Sequence, residues 1–224
     1  MARTDHYRRP GDLPQQIPLF PLRGAILLPR ATLPLNVFEP RYLAMLDDVL
    51  SGSRIIGIVQ PAEGSGESPQ GKESKLRNIG CAGRVTAYQE LDDGRLLITL
   101  TGIARFSIVR ETQTREPYRV ATVSYDRFTT DMEEGAGEEQ VDREKLTRVL
   151  KAWLEQKSLS ADWEAIERAS SEHLINALCV LSPYGPEEKQ ALLEAQDLKE
   201  RANVLVALAE MELASTGGPG STLQ

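Results

Sequence analysis

A change of hydrophobic period partway along the chain constrains its fold more than any other feature. Before residue 130 apolar residues recur at every second position, as in Leu33, Leu35 and Val37 and again in Leu96, Ile98 and Leu100, with Ile55 to Val59 as a compact apolar run. Period two belongs to β-strands. After residue 140 the spacing becomes helical: Leu146, Val149, Leu150, Trp153 and Leu154 make one stripe, and Leu174, Leu178 and Leu181 make another before Ser182-Pro183 interrupts it. Between the two textures lies DMEEGAGEEQ, Asp131 to Gln140, with five acids, no base and two glycines. Such a run buries no apolar surface, so it is expected to be a solvated linker. The predicted organisation is an α+β chain: a β domain over 17–130, the linker over 131–140 and a helical subdomain of about four helices over 141–214. A flexible start (1–16) and a disordered Gly/Ser/Thr-rich tail (215–224) complete it.

Local signals refine each half. Asp93-Gly94 separates two alternating runs, and glycine accepts the positive φ of a tight turn, so Gly83 to Thr101 is predicted to be a hairpin. Pro40 suits a first helical turn, and Tyr42, Met45, Leu46, Val49 and Leu50 follow at helical spacing, predicting one helix packed on the sheet. In the second half Pro186 opens a helix carrying Leu192 and Leu193. A last helix runs from about Leu198 to Leu213, with Val204, Leu205, Leu208 and Met211 turned inward.

Charge and composition narrow the function classes. The net charge is −7, split as +3 before residue 131, −5 in the linker and −5 after it. Nucleic-acid binding needs clustered Lys and Arg, and +3 spread over 130 residues is a weak footprint. Cys81 and Cys179 are too few and too far apart for a disulfide framework or a structural zinc site, and are read as reduced core thiols. No 18-residue apolar run and no leader-like start are present, which predicts a cytoplasmic protein.

Catalytic patterns are weak throughout. Gly66 to Lys72 has the G-x-x-x-x-G-K skeleton of a phosphate-binding loop, but Glu73 stands where a Ser or Thr must ligate magnesium. It is read as a loop between strands. There is no G-x-S-x-G elbow, His6 lies in the terminus, and His173 falls on a helix beside Glu172 and Leu174. Paired acids such as Glu133/Glu134 and Glu187/Glu188 are sequence neighbours that point apart on a helix. The expectation is no enzyme, no metal and no cofactor.

Three regions carry a resemblance. Ile17-Pro18-Leu19-Phe20-Pro21-Leu22-Arg23, Leu27-Leu28-Pro29 and Leu33 to Tyr42 (LPLNVFEPRY) resemble the opening of the amino-terminal domain of Lon proteases, particularly stand-alone bacterial relatives of it. Asn78 to Val85 and Leu96 to Phe106 resemble that family's central hairpin and the G-x-x-R turn after it, and Pro186 to Glu194 with Glu200-Arg201 is similar to the helices that follow. The resemblance implies a PUA-like open β-barrel of about six strands, a fold shared in part with cereblon, and a helical bundle behind it. It further implies a domain that binds unfolded or degron-bearing polypeptides. The ATPase and the Ser-Lys protease of full-length Lon have no counterpart in these 224 residues, so the chain is expected to act as an adaptor or chaperone-like factor, working with a protease, as a monomer or weak dimer.

The candidate partner-binding residues are Leu27, Leu28, Phe38, Glu39, Arg41 and Tyr42. Leu27 and Leu28 stand with Ile26 in an apolar run between Gly24 and Pro29, and the other four join two aromatics to opposite charges at a strand-to-helix junction. Whether Leu27, Leu28 and Phe38 face solvent or fill the barrel is left open by their spacing; Arg41 and Tyr42 suit a contact surface. Arg84 and Arg105 either reach a partner's carboxylate or close the barrel rim through a backbone or acidic neighbour. Trp153 and Trp163 are read as helix-packing anchors. Two rival functions remain: RNA binding, if the basic groups of the β half gather on one face, and small-molecule sensing, if aromatics form a cage as in cereblon.

Overall fold

The computed structural model of the chain describes residues 4, 6–62, 74–158 and 162–216. The phosphate-loop-like segment Gly66–Lys72 and residues 217–224 of the expected tail lie outside the described residues. The chain divides into two compact units, residues 1–134 with 176–194, and residues 135–175 with 195–224.

The first unit holds six strands: β1 (Gln16–Pro21), β2 (Thr32–Val37), β3 (Ile55–Pro61), β4 (Leu76–Glu90), β5 (Leu96–Thr112) and β6 (Arg119–Ser124). They form one mixed sheet in the order β2-β5-β4-β3-β1-β6, in which only β1 and β3 run parallel. The long β5 serves two neighbours on the same side. Its first half pairs with β2, from Leu96↔Val37 to Thr101↔Thr32, and its second half pairs with β6, from Ser107↔Ser124 to Thr112↔Val120. Register shifts at Ala82/Gly83, Val85/Ala87 and Ile108/Arg110 bend these long strands, as bulges do. The sheet therefore curls strongly enough for β6 to pair with both β1 and β5, while β2 keeps a free edge. The predicted hairpin turns at Asp93-Gly94, where Gly94 has φ +79°. Inside the curl Ile17, Leu19, Ile55, Val59, Ala82, Ala104, Phe106 and Ala121 form the core.

Helix α1 (Pro40–Ser51) carries Pro40 in its first turn and buries Tyr42, Met45, Leu46 and Val49, the face expected from its spacing. From Tyr7 onward the N-terminal stretch, expected to be flexible, is tied to the sheet. Leu13 is buried, the Tyr125 hydroxyl donates to the Pro14 carbonyl (3.0 Å), and Arg84 Nη1 donates to the Tyr7 hydroxyl (2.9 Å) and to the Ser53 carbonyl (3.3 Å). One leucine and one tyrosine in a polar segment are enough to anchor it.

The start of the acidic run is also not a solvated linker. Asp131 is 6% exposed and closes the 3-10 segment Asp126–Met132 onto β5. Its Oδ2 accepts from the Arg105 backbone N–H (2.9 Å) and Nε (2.9 Å), and its Oδ1 accepts from Arg105 Nη2 (2.8 Å). Arg105 is 1% exposed; its Nη1 donates to the Leu193 carbonyl (3.1 Å), and its guanidinium lies 4.3 Å from the centre of the Phe128 ring. One buried guanidinium thus joins β5, the 3-10 segment and a helix more than 80 residues later. That resolves the role of Arg105 in favour of closing the rim.

Five further helices follow: α2 (Arg143–Gln156), α3 (Trp163–Arg168), α4 (Ser171–Leu181), α5 (Pro186–Glu194) and α6 (Leu198–Thr216). The second half of α4 and all of α5 belong to the first unit. There Gln60 Nε2 donates to the Pro186 carbonyl (2.9 Å), Gln190 Nε2 donates to the Ile79 carbonyl (3.3 Å), and Asn176 Nδ2 donates to the Pro29 carbonyl (3.0 Å). Buried Lys189 donates to the carbonyls of Cys179 and Val180, 2.7 Å from each, and so satisfies the end of α4. In the second unit α2 buries Leu146, Val149, Leu150 and Trp153, and the Trp153 indole N–H donates to Glu212 on α6 (2.6 Å). Two expected inward residues are instead exposed: Leu181 (74%) and Met211 (69%). On α6 the buried stripe runs through Leu198, Arg201, Ala202, Leu205, Val206 and Ala209. Small alanines allow close packing that a count of large apolar residues overlooks. Among the described residues no helix is long and apolar enough to cross a membrane.

Two outcomes follow from these buried charges. Asp131→Ala, which strands the Arg105 guanidinium, is expected to cost about 3–5 kcal/mol in urea unfolding, whereas an Arg105→Met, Asp131→Leu pair costs less than the single change. Burial pulls the Lys189 ammonium down from 10.5 to about 8. Its folded value lies below the unfolded one, so above about pH 8 the unfolded chain holds more protons and stability rises with pH. The rise is expected up to about pH 10, where the phenols of Tyr118 and Tyr125, both raised by burial, begin to oppose it. Urea titrations of wild type and Lys189→Met across this range check it, the variant showing the shallower rise.

Candidate functional site

The six candidate residues divide between core and surface. Leu27 and Leu28 are fully buried, and Ile26 is buried with them. The reason is a close crossing of backbones: Pro29 bridges Gly102, Arg30 N–H donates to the Gly102 carbonyl (2.9 Å), and Gly102 N–H donates to the Ala31 carbonyl (2.9 Å). A side chain at Gly102 would overlap the Leu28 carbonyl, and one at Gly83 would overlap the Leu27 side chain. The two glycines let the Leu27–Leu28 segment lie against β4 and β5. Contrary to the contact role expected of them, both leucines are core and offer a partner no surface.

Tyr42 is also core, 6% exposed. Its ring lies 4.1 Å from that of Phe20, and burial raises its phenol pKa. Arg41 covers it, the guanidinium 4.6 Å from the ring centre, and pairs with Glu39 at 2.6 Å (Nη2 to Oε2) and 2.9 Å (Nε to Oε2). Both partners keep solvent access. Phe38 leaves the end of β2 with 63% of its surface exposed, which settles the question left open by spacing. What remains at the surface is Phe38, Glu39 and Arg41.

The sheet adds residues that the sequence reading did not single out. Leu97, 40% exposed, pairs with Asn36 on one side and Gln89 on the other. Tyr88, 58% exposed, lies one pair further along the hairpin. The signal was available in Leu96-Leu97-Ile98, where an extra leucine breaks the alternation and must fall on the outer face. A second signal was Pro34, which within a strand marks an edge. Beyond this patch the hairpin tip carries Glu90, Asp92 and Asp93, all exposed, with Arg95 bonded to Asp93 at 2.7 Å.

A cavity of about 550 Å³ opens elsewhere in the same unit, lined by Tyr7, Arg8, Arg30, Asp131, Glu133 and Glu134 among others. Arg30 adopts φ +62° there, and its Nη1 donates to the Asp131 carbonyl (2.9 Å). One tyrosine among charged groups is not the aromatic cage that small-molecule sensing calls for. Among the described residues no group of three or more His, Cys, Asp or Glu side chains is placed to hold a metal.

The division between core and surface is testable by stability. Leu27→Ala is expected to cost about 2–5 kcal/mol, whereas Phe38→Ser should change stability by less than about 0.5 kcal/mol; chemical denaturation of the two variants distinguishes them.

Comparison with known proteins adds identity to this geometry. The chain is 28% identical over 202 residues to Lon protease 2 of Myxococcus xanthus, covering 88% of this chain and 24% of that protein. It is 28% identical over 207 residues to Lon protease of Flavobacterium johnsoniae, covering 90% and 25%. The chain thus spans about a quarter of the length of these relatives. A Lon N-terminal domain protein from Xanthomonas campestris superposes with a TM-score of 0.58 at 21% identity, over 86% of this chain and 97% of that one. The N-terminal domain of the Mycobacterium avium complex Lon protease does so with 0.59 at 18%, over 87% and 98%, and these two likenesses show the fold. The family model of the substrate-binding domain of the ATP-dependent protease La (Lon) matches residues 16–210, from β1 into α6, and the chain belongs to that family.

Proposed function

We propose that this chain binds unfolded or degron-bearing polypeptides without catalysing a reaction on them, as an adaptor or chaperone-like factor in proteolysis. The observation that carries the reading is the patch at the end of β2: Phe38 and Leu97, both exposed, beside an ion pair and a charged hairpin tip. A folded client hides its apolar side chains, and an unfolded one offers them. Exposed apolar side chains rimmed by charge discriminate between the two. Family membership supports the same reading, since the matching family is a substrate-binding one.

Each residue has a distinct part. Phe38 presents an aromatic ring that contributes binding by burial, and Leu97 widens the apolar area. Arg41 and Glu39, held together over Tyr42, give the junction a fixed shape and a polar rim. Tyr42 acts from inside by anchoring α1 against Phe20. Leu27 and Leu28 support the sheet from within its core.

A permanently unfolded, fluorescently labelled client tests this against the same protein in its native form. Wild type is expected to bind the unfolded form and leave the native form free. A Phe38→Ser, Leu97→Ser variant is expected to weaken binding about tenfold, the effect of losing on the order of 1.4 kcal/mol of apolar burial. Equal binding by the variant, with its melting curve unchanged, would remove the patch as the site.

A further inference from the structure

This inference rests on the polypeptide-binding reading and names the class of segment bound and how it is held. β2 has β5 on one side, with every residue from Thr32 to Val37 in register, and no strand on its other side among the described residues. A strand with a single neighbour turns every second N–H and C=O away from it, and such an edge accepts another strand. Thr32, Pro34 and Asn36 are exposed along β2. Pro34 has no N–H to give and is tolerated mid-strand because the edge leaves alternate amides unpaired.

The two ends of this edge differ. At the Val37 end stand Phe38 and Leu97, the latter in the same row as Asn36. Glu90 lies in register with Leu96, itself opposite Val37, and Asp92 follows at the turn; both are exposed, and neither has an ion pair among the described residues. Arg95 is taken by Asp93, and Arg41 by Glu39. Apolar contact and negative charge therefore lie at the same end of the sheet, the acids on β4 and its turn two strands in from the open edge. The complementary guest carries an apolar residue next to a basic one.

We infer that the free edge of β2 takes up an extended segment of unfolded polypeptide as an added strand, selecting segments in which apolar residues adjoin Lys or Arg. The guest main chain pairs with the outward amides and carbonyls of β2, its apolar side chain covers Phe38 and reaches toward Leu97 on β5, and its basic side chain is drawn by the charge of Glu90 and Asp92 across the sheet from it. A second copy of this chain fits less well. Antiparallel pairing of two β2 edges about their middle would set Pro34 against the same stretch of its copy, with donors missing on both strands.

The test uses the full chain and labelled peptides of about eight residues alternating Phe or Val with Lys. Two analogues carry N-methyl groups on one or the other set of alternate amides, and a third replaces Lys by Glu. Binding is read by fluorescence anisotropy, alongside the permanently unfolded client. We expect the parent peptide to bind, one N-methyl analogue and the Glu analogue to lose at least about tenfold in affinity, and Asn36→Pro, in the same phase as Pro34, to do likewise without lowering the melting temperature. If both N-methyl analogues bind like the parent, strand addition is overturned; if the Glu analogue does, the acidic selection is overturned. Loss of the peptides with retention of the client overturns this inference and leaves the polypeptide-binding reading standing elsewhere on the surface, whereas loss of both overturns the two together.

Discussion

The buried pairing of Arg105 with Asp131 is the interaction on which the first unit depends. Arg105 sits midway along β5, between the half that pairs with β2 and the half that pairs with β6. Asp131 takes its side chain and its backbone N–H together, so the position of one residue sets both the strand and the 3-10 segment against it. Removing two charges from water is costly, and their attraction roughly repays that cost when the geometry is good. The pair is thus better understood as a penalty on misplacement than as a source of net stability. A shift of the 3-10 segment by one residue would leave a desolvated guanidinium with no carboxylate.

The parts of the fold that were legible in the sequence are those decided by near neighbours. The β4–β5 hairpin follows from Asp93-Gly94 between alternating runs, α1 from Pro40 and its apolar spacing, and α2 from an unbroken stripe with Asp142 capping its start, Oδ1 accepting from Lys145 N–H at 2.9 Å. What escaped was decided at long range. Asp131 looks like one more acid in an acidic run, and only its partner 26 residues earlier makes it core. Leu27 and Leu28 look like an apolar patch until Gly83 and Gly102 are seen to make room for them. Helix α5 follows the acidic run in sequence, yet buried Gln190 and Lys189 bind carbonyls of the first unit.

The candidate surface shows the same limit in reverse. Phe38 was singled out by type and position, but spacing could not say that it faces solvent, because the strand ends there and alternation ends with it. Tyr42 has the composition of a contact residue and the burial of an anchor. An aromatic beside an arginine is ambiguous in sequence, since the guanidinium can lie over the ring from outside while the ring is buried beneath it. Arg41 and Tyr42 do this, so one of the two faces solvent and the other faces Phe20.

An exposed strand edge with apolar residues at its end is ordinarily an aggregation hazard, and the features that restrain the hazard here are the ones that would shape recognition in the proposed strand addition. Pro34 removes a donor from the middle of the edge, which limits any added strand to short pairing on either side of it. The acids at the hairpin tip repel like-charged edges and favour basic guests. The missing donor at Pro34 would lower the affinity for any single segment. On the proposed reading such a surface would discriminate through the sum of several weak contacts along an extended chain, a condition that an unfolded polypeptide meets and a native one does not. Weak individual contacts would also let a bound segment leave again, as the proposed capture of unfolded segments requires.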